Sequence, residues 1–93
     1  MSLEYTWDED KAAANIVKHQ VTFEEAATVF TDPLAVIFDD EAHSAEETRE
    51  LIVGHSTSNH LLLVSFTERN GVVRIISARR TTLKERRDYE NNT

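Results

Sequence analysis

A chain of 93 residues is long enough for one domain with a modest core and little stability to spare. Its composition, 40% hydrophobic and 29% charged, is that of an ordinary globular protein, and the lack of cysteine excludes a disulfide framework and a thiolate metal site. The net charge of −7 argues against indiscriminate binding of polyanions, and acidic residues interrupt the N-terminus where a signal peptide would be apolar. No apolar run approaches the roughly 20 residues of a membrane helix, so the expectation is one domain over residues 1–93, cytoplasmic and without membrane contact.

Residues 4–7 (Glu-Tyr-Thr-Trp) are extended and suit an edge strand. Asp8 is placed to cap a helix over 8–18, with Glu9 and Asp10 in its first turn. Ala12, Ala13, Ile16 and Val17 give that helix an apolar face. Lys18 and His19 sit at its end, where the helix dipole favours cations. A second helix over 22–31 opens on Thr22 and Glu25, a capping-box pattern, with Val21 and Ala26 as a weak hydrophobic staple. Phe23, Ala26, Ala27 and Phe30 recur at helical spacing and predict a core stripe. Asp32-Pro33 ends the helix. Leu34–Phe38 reads as a strand, and Asp39–Glu47 as an acidic loop.

From Arg49 the pattern becomes three strands: Arg49–Thr57, His60–Arg69 and Val72–Arg80. Asn70-Gly71 is a strong signal for a two-residue turn, and Ser58-Asn59 a weaker one. With two-residue turns, facing positions sum to 117 in the first hairpin and 141 in the second. That register puts Leu51, Phe66, Ile75, Val53 and Val64 on one face, expected to pack on the helices, with His55, Leu62 and Arg79 at its rim. His55 and Arg79 would then stand about 9–10 Å apart, two strands away, with room for a phosphate between them. On the other face Glu50 and Arg74 would flank Thr67 as a cross-strand pair, with Arg80 roughly 20 Å away at the opposite end. Thr82 and Glu85 form another capping box, opening a helix over Leu83–Glu90. Only Leu83 and Tyr89 are large and apolar there, so this helix is expected to be weakly anchored. The predicted fold class is α+β: two N-terminal helices packed on a twisted antiparallel sheet, with a short C-terminal helix.

Charge is unevenly spread. Residues 69–90 hold seven basic and three acidic side chains, a net +4, whereas residues 1–68 carry a net −11. A basic strand-to-helix tail on an acidic body is the most informative feature of the sequence.

The motifs Trp7-Asp8-x-x-Lys11, Asn15-x-x-Lys18-His19-x-Val21-x-Phe23-Glu24-Glu25-Ala26, Asp32-Pro33, His43-Ser44 with Glu47 and Arg49, Gly54, and Arg74-x-Ile76-Ser77-Ala78-Arg79 followed by Glu85 and Tyr89 span nearly the whole chain. Together they resemble the BrnT family of toxins. The resemblance implies the toxin half of a type II toxin–antitoxin pair, with a compact fold similar to RelE-like ribonucleases. It implies a metal-independent endoribonuclease that inhibits translation. It also implies a cognate antitoxin with a ribbon-helix-helix part, through which alone operator DNA would be reached. A homodimer stays open. The chain departs from the basic character expected of a ribonuclease toxin.

Cleaving RNA without a metal requires a group that activates the 2′-hydroxyl, cations that stabilise the phosphorane, and an acid for the leaving oxygen. Arg79 and Arg80 are the candidate phosphate stabilisers, because guanidinium forks match phosphate oxygens. His55 is the candidate proton-transfer group, with His19 and His43 as alternatives. Lys84, Arg87 and Arg74 are candidates for binding RNA; Lys84 and Arg87, three apart on a helix, share a side. Glu85 is a possible base, although capping alone accounts for it. His55 and His60 fall on opposite faces and do not make a metal site, and no cofactor is expected. The alternative function is a non-catalytic module that binds an antitoxin-like repressor; it could do with one of the two adjacent arginines, whereas the enzyme needs both.

Overall fold

The computed structural model describes residues 3–41 and 48–91. In chain order the elements are β1 (Glu4–Thr6), α1 (Glu9–His19), α2 (Phe23–Thr28), a 3-10 turn (Val29–Thr31), β2 (Val36–Asp39), β3 (Glu50–His55), β4 (Leu61–Arg69), β5 (Val72–Arg80) and α3 (Leu83–Asn91). The five strands lie in the order β1-β5-β4-β3-β2. All neighbours are antiparallel except β1, which runs parallel to β5. Helices α1 and α2 cover one face, and α3 folds back on the other. Among the described residues no helix is long and apolar enough to cross a membrane.

The two N-terminal helices start where their caps require. Asp8 accepts from the Asp10 and Lys11 amides, and Thr22 Oγ1 accepts from the Glu25 amide. The apolar stripe of α2 is core: Phe23 and Ala26 are fully buried, and Phe30 meets the Phe66 ring edge-on at 4.9 Å. Tightening into the 3-10 turn also brings Val29 inward, completely buried. Helix α1 departs from expectation. It buries Ala12 and Asn15, while Ile16 and Val17 are exposed. Asn15 takes the inward position because it has work there: its Nδ2 donates to the carbonyls of Val21 and Ala78, and its Oδ1 accepts from the Ala78 amide. The desolvation cost of this buried amide is offset by these bonds.

Both hairpins form; the first is displaced by one residue from the simple register, and the second keeps the 141 register from Arg69 with Val72 to Phe66 with Ile75 and shifts to 142 beyond it. The Asn70-Gly71 turn has both residues at positive φ, 54° and 82°, as a type I′ turn demands. The β3–β4 turn holds three residues, Thr57-Ser58-Asn59, because Ser56 already pairs with His60 and Asn59 takes a left-handed conformation. Facing residues there sum to 116, as in Ile52 with Val64. On β5, Ile76 is an extra residue opposite Ser65/Phe66, so the pairing is Phe66 with Ile75 on one side of the bulge and Ser65 with Ser77 on the other.

These shifts correct the facing assignment. Val64, Phe66 and Ile75 do meet the helices, joined by Ile52, Leu62, Val73 and Ala78. Leu51 and Val53 instead lie on the opposite face, where Val53, Leu61, Leu63 and Tyr89 form a smaller cluster with Val36 and Leu51 against it. Glu50 pairs with Phe66 while Arg74 pairs with Thr67, so Glu50 and Arg74 are on opposite faces and do not form the expected ion pair. Helix α3 is better anchored than its composition suggested. Leu83 is 74% exposed, but Tyr89 is buried.

Candidate active site

The end of β5 sends its two arginines to opposite sides of the sheet, and their surroundings differ. Arg79 points to the α3 side. Its Nη1 and Nη2 each donate to a Glu85 oxygen at 2.8 Å, a bidentate fork, and Nη1 also reaches the Arg80 carbonyl. Glu85 completes the capping box: its carboxylate accepts from the Thr82 amide, and its own amide donates to Thr82 Oγ1. The hydrogen bonds from Arg79 hold the Glu85 carboxyl down at about 2 against the opposing effect of burial.

Arg80 pairs with Leu62 and points to the helix side. It is exposed, and no described residue hydrogen-bonds its guanidinium. The C-terminal end of α1 stands beside it. Lys18, His19, Gln20, Arg79, Arg80 and Thr82 line one open hollow of about 720 Å³. The buried Asn15 places this helix end, since its bonds to Ala78 fix α1 two residues from Arg80. Lys18 and His19 suit the helix terminus electrostatically, yet the fold also converges them on the arginine pair.

The expected gap between His55 and Arg79 is not open. Both residues share a face, but it is the face under α3. Arg79 pairs with Leu63, which pairs with Val53, while His55 pairs with Leu61. Tyr89 packs with these three apolar residues and meets the His55 ring edge-on at 5.7 Å. The His55 amide donates to Asp32 Oδ2 at 2.7 Å, and the Tyr89 hydroxyl reaches the same oxygen at 3.4 Å. Burial would raise the Asp32 carboxyl, but bonds from the His55 and Leu34 amides, the His55 charge and the Tyr89 hydroxyl together bring it below its ordinary value. Gly54 permits this close approach: a Cβ there would come within 2.8 Å of Ala35 Cβ and 3.0 Å of Asp32 Oδ2.

Of the other sequence-predicted residues, Lys84 is exposed and pairs with Asp88 at 3.1 Å, and Arg87 is exposed on α3. Arg74 is exposed on β5 beside Thr67 and Thr6, about 20 Å from Arg80 at the rise of a strand. His43 lies outside the described residues. Among the described residues no three His, Asp or Glu side chains group as a metal site.

A second polar cluster sits on the helix side. His60 Nδ1 donates to Glu25 Oε2 at 2.8 Å, and Ser56 Oγ donates to the same oxygen at 2.6 Å. Ser56 Oγ in turn accepts from the His60 amide at 3.2 Å. Glu25 is therefore only half of a capping box; its carboxylate turns away from Thr22 to reach the β3–β4 turn. Burial would raise this carboxyl, but the Ser56 and His60 bonds and the charges of His60 and Arg80 bring it below its ordinary value.

Residues 7–85 match the family described as "Ribonuclease toxin, BrnT, of type II toxin-antitoxin system". The chain belongs to the BrnT family. Its fold is also that of the crystal structure of the Brucella abortus ribonuclease toxin BrnT, with a TM-score of 0.67 over 87% of this chain and 99% of that one, at 23% identity. None of the curated proteins matches it. A BrnT toxin of a type II system has an antitoxin for partner. In this BrnT chain the sequence pointed to the arginine pair but assigned Lys18 to the helix dipole alone, and it missed Ser56 and His60 as partners of Glu25. The signal that finds them is the 116 register, which puts Ser56, His60 and Arg80 on the face that receives α2.

Proposed function

We propose that this BrnT protein is a metal-independent endoribonuclease acting at the hollow formed by Lys18, His19, Arg79 and Arg80. The observation that carries the reading is the convergence of these cations, from α1 and β5, on one open site in an otherwise acidic chain. Arg80 is the principal phosphate contact, because its fork is not engaged by any described residue. Arg79 holds the rim from the opposite side of the sheet through its pair with Glu85. Lys84 and Arg87 continue the basic surface along α3 and guide the RNA backbone. Arg74 is too distant to touch the same phosphate and serves a remote backbone contact. His55 belongs to the α3 dock and is not assigned to the chemistry.

In the cell this activity would inhibit translation, and a ribbon-helix-helix antitoxin would neutralise it and carry the complex to operator DNA. The test is expression without the neighbouring antitoxin gene, scoring growth and RNA integrity, together with cleavage by purified protein in excess EDTA. Growth arrest with RNA decay that persists in EDTA is expected. A folded protein that leaves RNA and growth untouched would favour a non-catalytic module that binds its antitoxin.

A further inference from the structure

The β3–β4 turn places an imidazole on the helix face one row from Arg80. Ser56 and His60 form the last row of the helix face, and Leu62 and Arg80 form the next. Diagonal neighbours on adjacent strands are about 7–8 Å apart at the backbone, within reach of long side chains on one small group. Glu25 holds the His60 ring and lies near enough to feel the Arg80 charge.

The tautomer follows from the bonding. A carboxylate only accepts, so the proton between His60 and Glu25 is on Nδ1, and the neutral ring carries its lone pair on Nε2. His60 is 38% exposed at its side chain and Glu25 18%, so the ring meets solvent more than its support does. Ser56 is 5% exposed and pins the same carboxylate oxygen from below. A half-buried carboxylate that fixes the tautomer and orientation of a partly exposed imidazole is the arrangement of a general base. The charged or titratable groups facing it are Glu25 from α2 and Arg80 from β5, with Lys18 and His19 in the adjoining hollow.

We infer that His60 is the general base of RNA cleavage at this rim, with Glu25 as its positioning residue and the phosphate held by Arg80. The inference rests on the ribonuclease reading of the hollow. His60 Nε2 takes the proton of a ribose 2′-hydroxyl, and the 2′-oxygen forms a bond to the adjacent phosphorus. The bond from phosphorus to O5′ breaks, leaving a 2′,3′-cyclic phosphate. O5′ departs with a proton from water, and the resulting hydroxide is neutralised by the proton that His60 releases.

The experiment is the pH dependence of kcat/KM on an RNA oligonucleotide for the parent, His60→Gln, Glu25→Gln, Arg80→Ala and His55→Gln, with folding checked by circular dichroism. His60→Gln should lose about 10²–10³-fold in rate together with the acidic limb of the profile, since that is the scale of a positioned base. Glu25→Gln should keep the limb but move it to lower pH, because the imidazolium loses its counter-charge. His55→Gln should keep the limb where it is. A His60→Gln protein that cleaves within threefold of the parent with the limb intact, while Arg80→Ala is crippled, overturns the role of His60 and leaves the hollow as the site. Arg80→Ala cleaving as fast as the parent, or a parent that cleaves no RNA, overturns the hollow and this inference with it. If His60→Gln fails to fold, Glu25→Gln decides: an unmoved limb counts against the inference.

Discussion

The two faces of the sheet handle apolar area and charge in opposite ways. The face under α1 and α2 is packed around fully buried Phe23, Val29, Leu62, Val64, Val73 and Ile75, and the cations at its end are left open. The face under α3 has a thinner cluster of Val53, Leu61, Leu63 and Tyr89, with a cavity of about 540 Å³ beside it. Its charges are closed on one another, Arg79 on Glu85 and Asp32 on His55 and Tyr89. Rigid packing on one side holds open cations in place, as the proposed RNA site would require. On the other side, paired charges supply the anchoring that a short apolar-poor helix lacks. Two adjacent arginines thus do different jobs.

The comparison is broken most severely by Phe23→Ala. Removing a fully buried ring should cost about 3–5 kcal/mol and unfold much of the population, read as a lost or lowered Tm. An unchanged Tm would show that the helix face is not the main core. Arg80→Ala should instead leave Tm within a few degrees and slow cleavage by about 10²–10³-fold, the scale of one lost transition-state stabiliser. Arg79→Ala should lower both, because it strips the fork that holds Glu85; equal behaviour of the two variants would erase the distinction between the faces. Lys84→Ala should weaken RNA binding, and the deficit should shrink as salt rises.

The smallest expected effect is acid loosening of α3. The Glu85 carboxyl is lowered in the folded state to about 2, so its bond to Arg79 contributes stability that is complete above its unfolded value, near 4.5. That contribution fades as pH falls from there towards about 2, as α3 releases its grip on β5. The pair is about one third exposed, so screening reduces it to about 1 kcal/mol. Hydrogen exchange of α3 amides should accelerate through that window in the parent and already be fast at neutral pH in Glu85→Ala.

Most of the elements were legible in the sequence, because caps, periodicity and turn residues are local. Asp8, Thr22, Asp32-Pro33 and Asn70-Gly71 each mark a boundary that the structure keeps. The register was legible only beside the Asn70-Gly71 turn, because the rest depends on two single residues. Thr57 joins Ser58 and the left-handed Asn59 in a three-residue turn, and Ile76 bulges from a strand in which nothing distinguishes it from Ile75. Each error moved side chains to the wrong face, which hid that His60 shares a face with Ser56 and with Arg80 in the adjoining row. Glu25 was masked for a different reason. A capping box explained it locally, and its real partners lie 31 and 35 residues away. The arginine pair was legible as charge, but which guanidinium is open depends on the side of the sheet each faces.

Asn15 has a consequence for assembly. Strand β1 runs beside β5 only from Val72 to Arg74, so among the described residues the outer edge of β5 beyond that point has no neighbouring strand. The Ala78 amide and carbonyl there meet the side-chain amide of Asn15, which makes the two bonds a peptide group of another strand would make. The side chain thus acts as a plug on a sheet edge that would otherwise be a template for an added strand. An intruding strand would run alongside Arg79 and Arg80, so the residue that sets α1 beside the arginines also keeps other chains from pairing across the hollow they line.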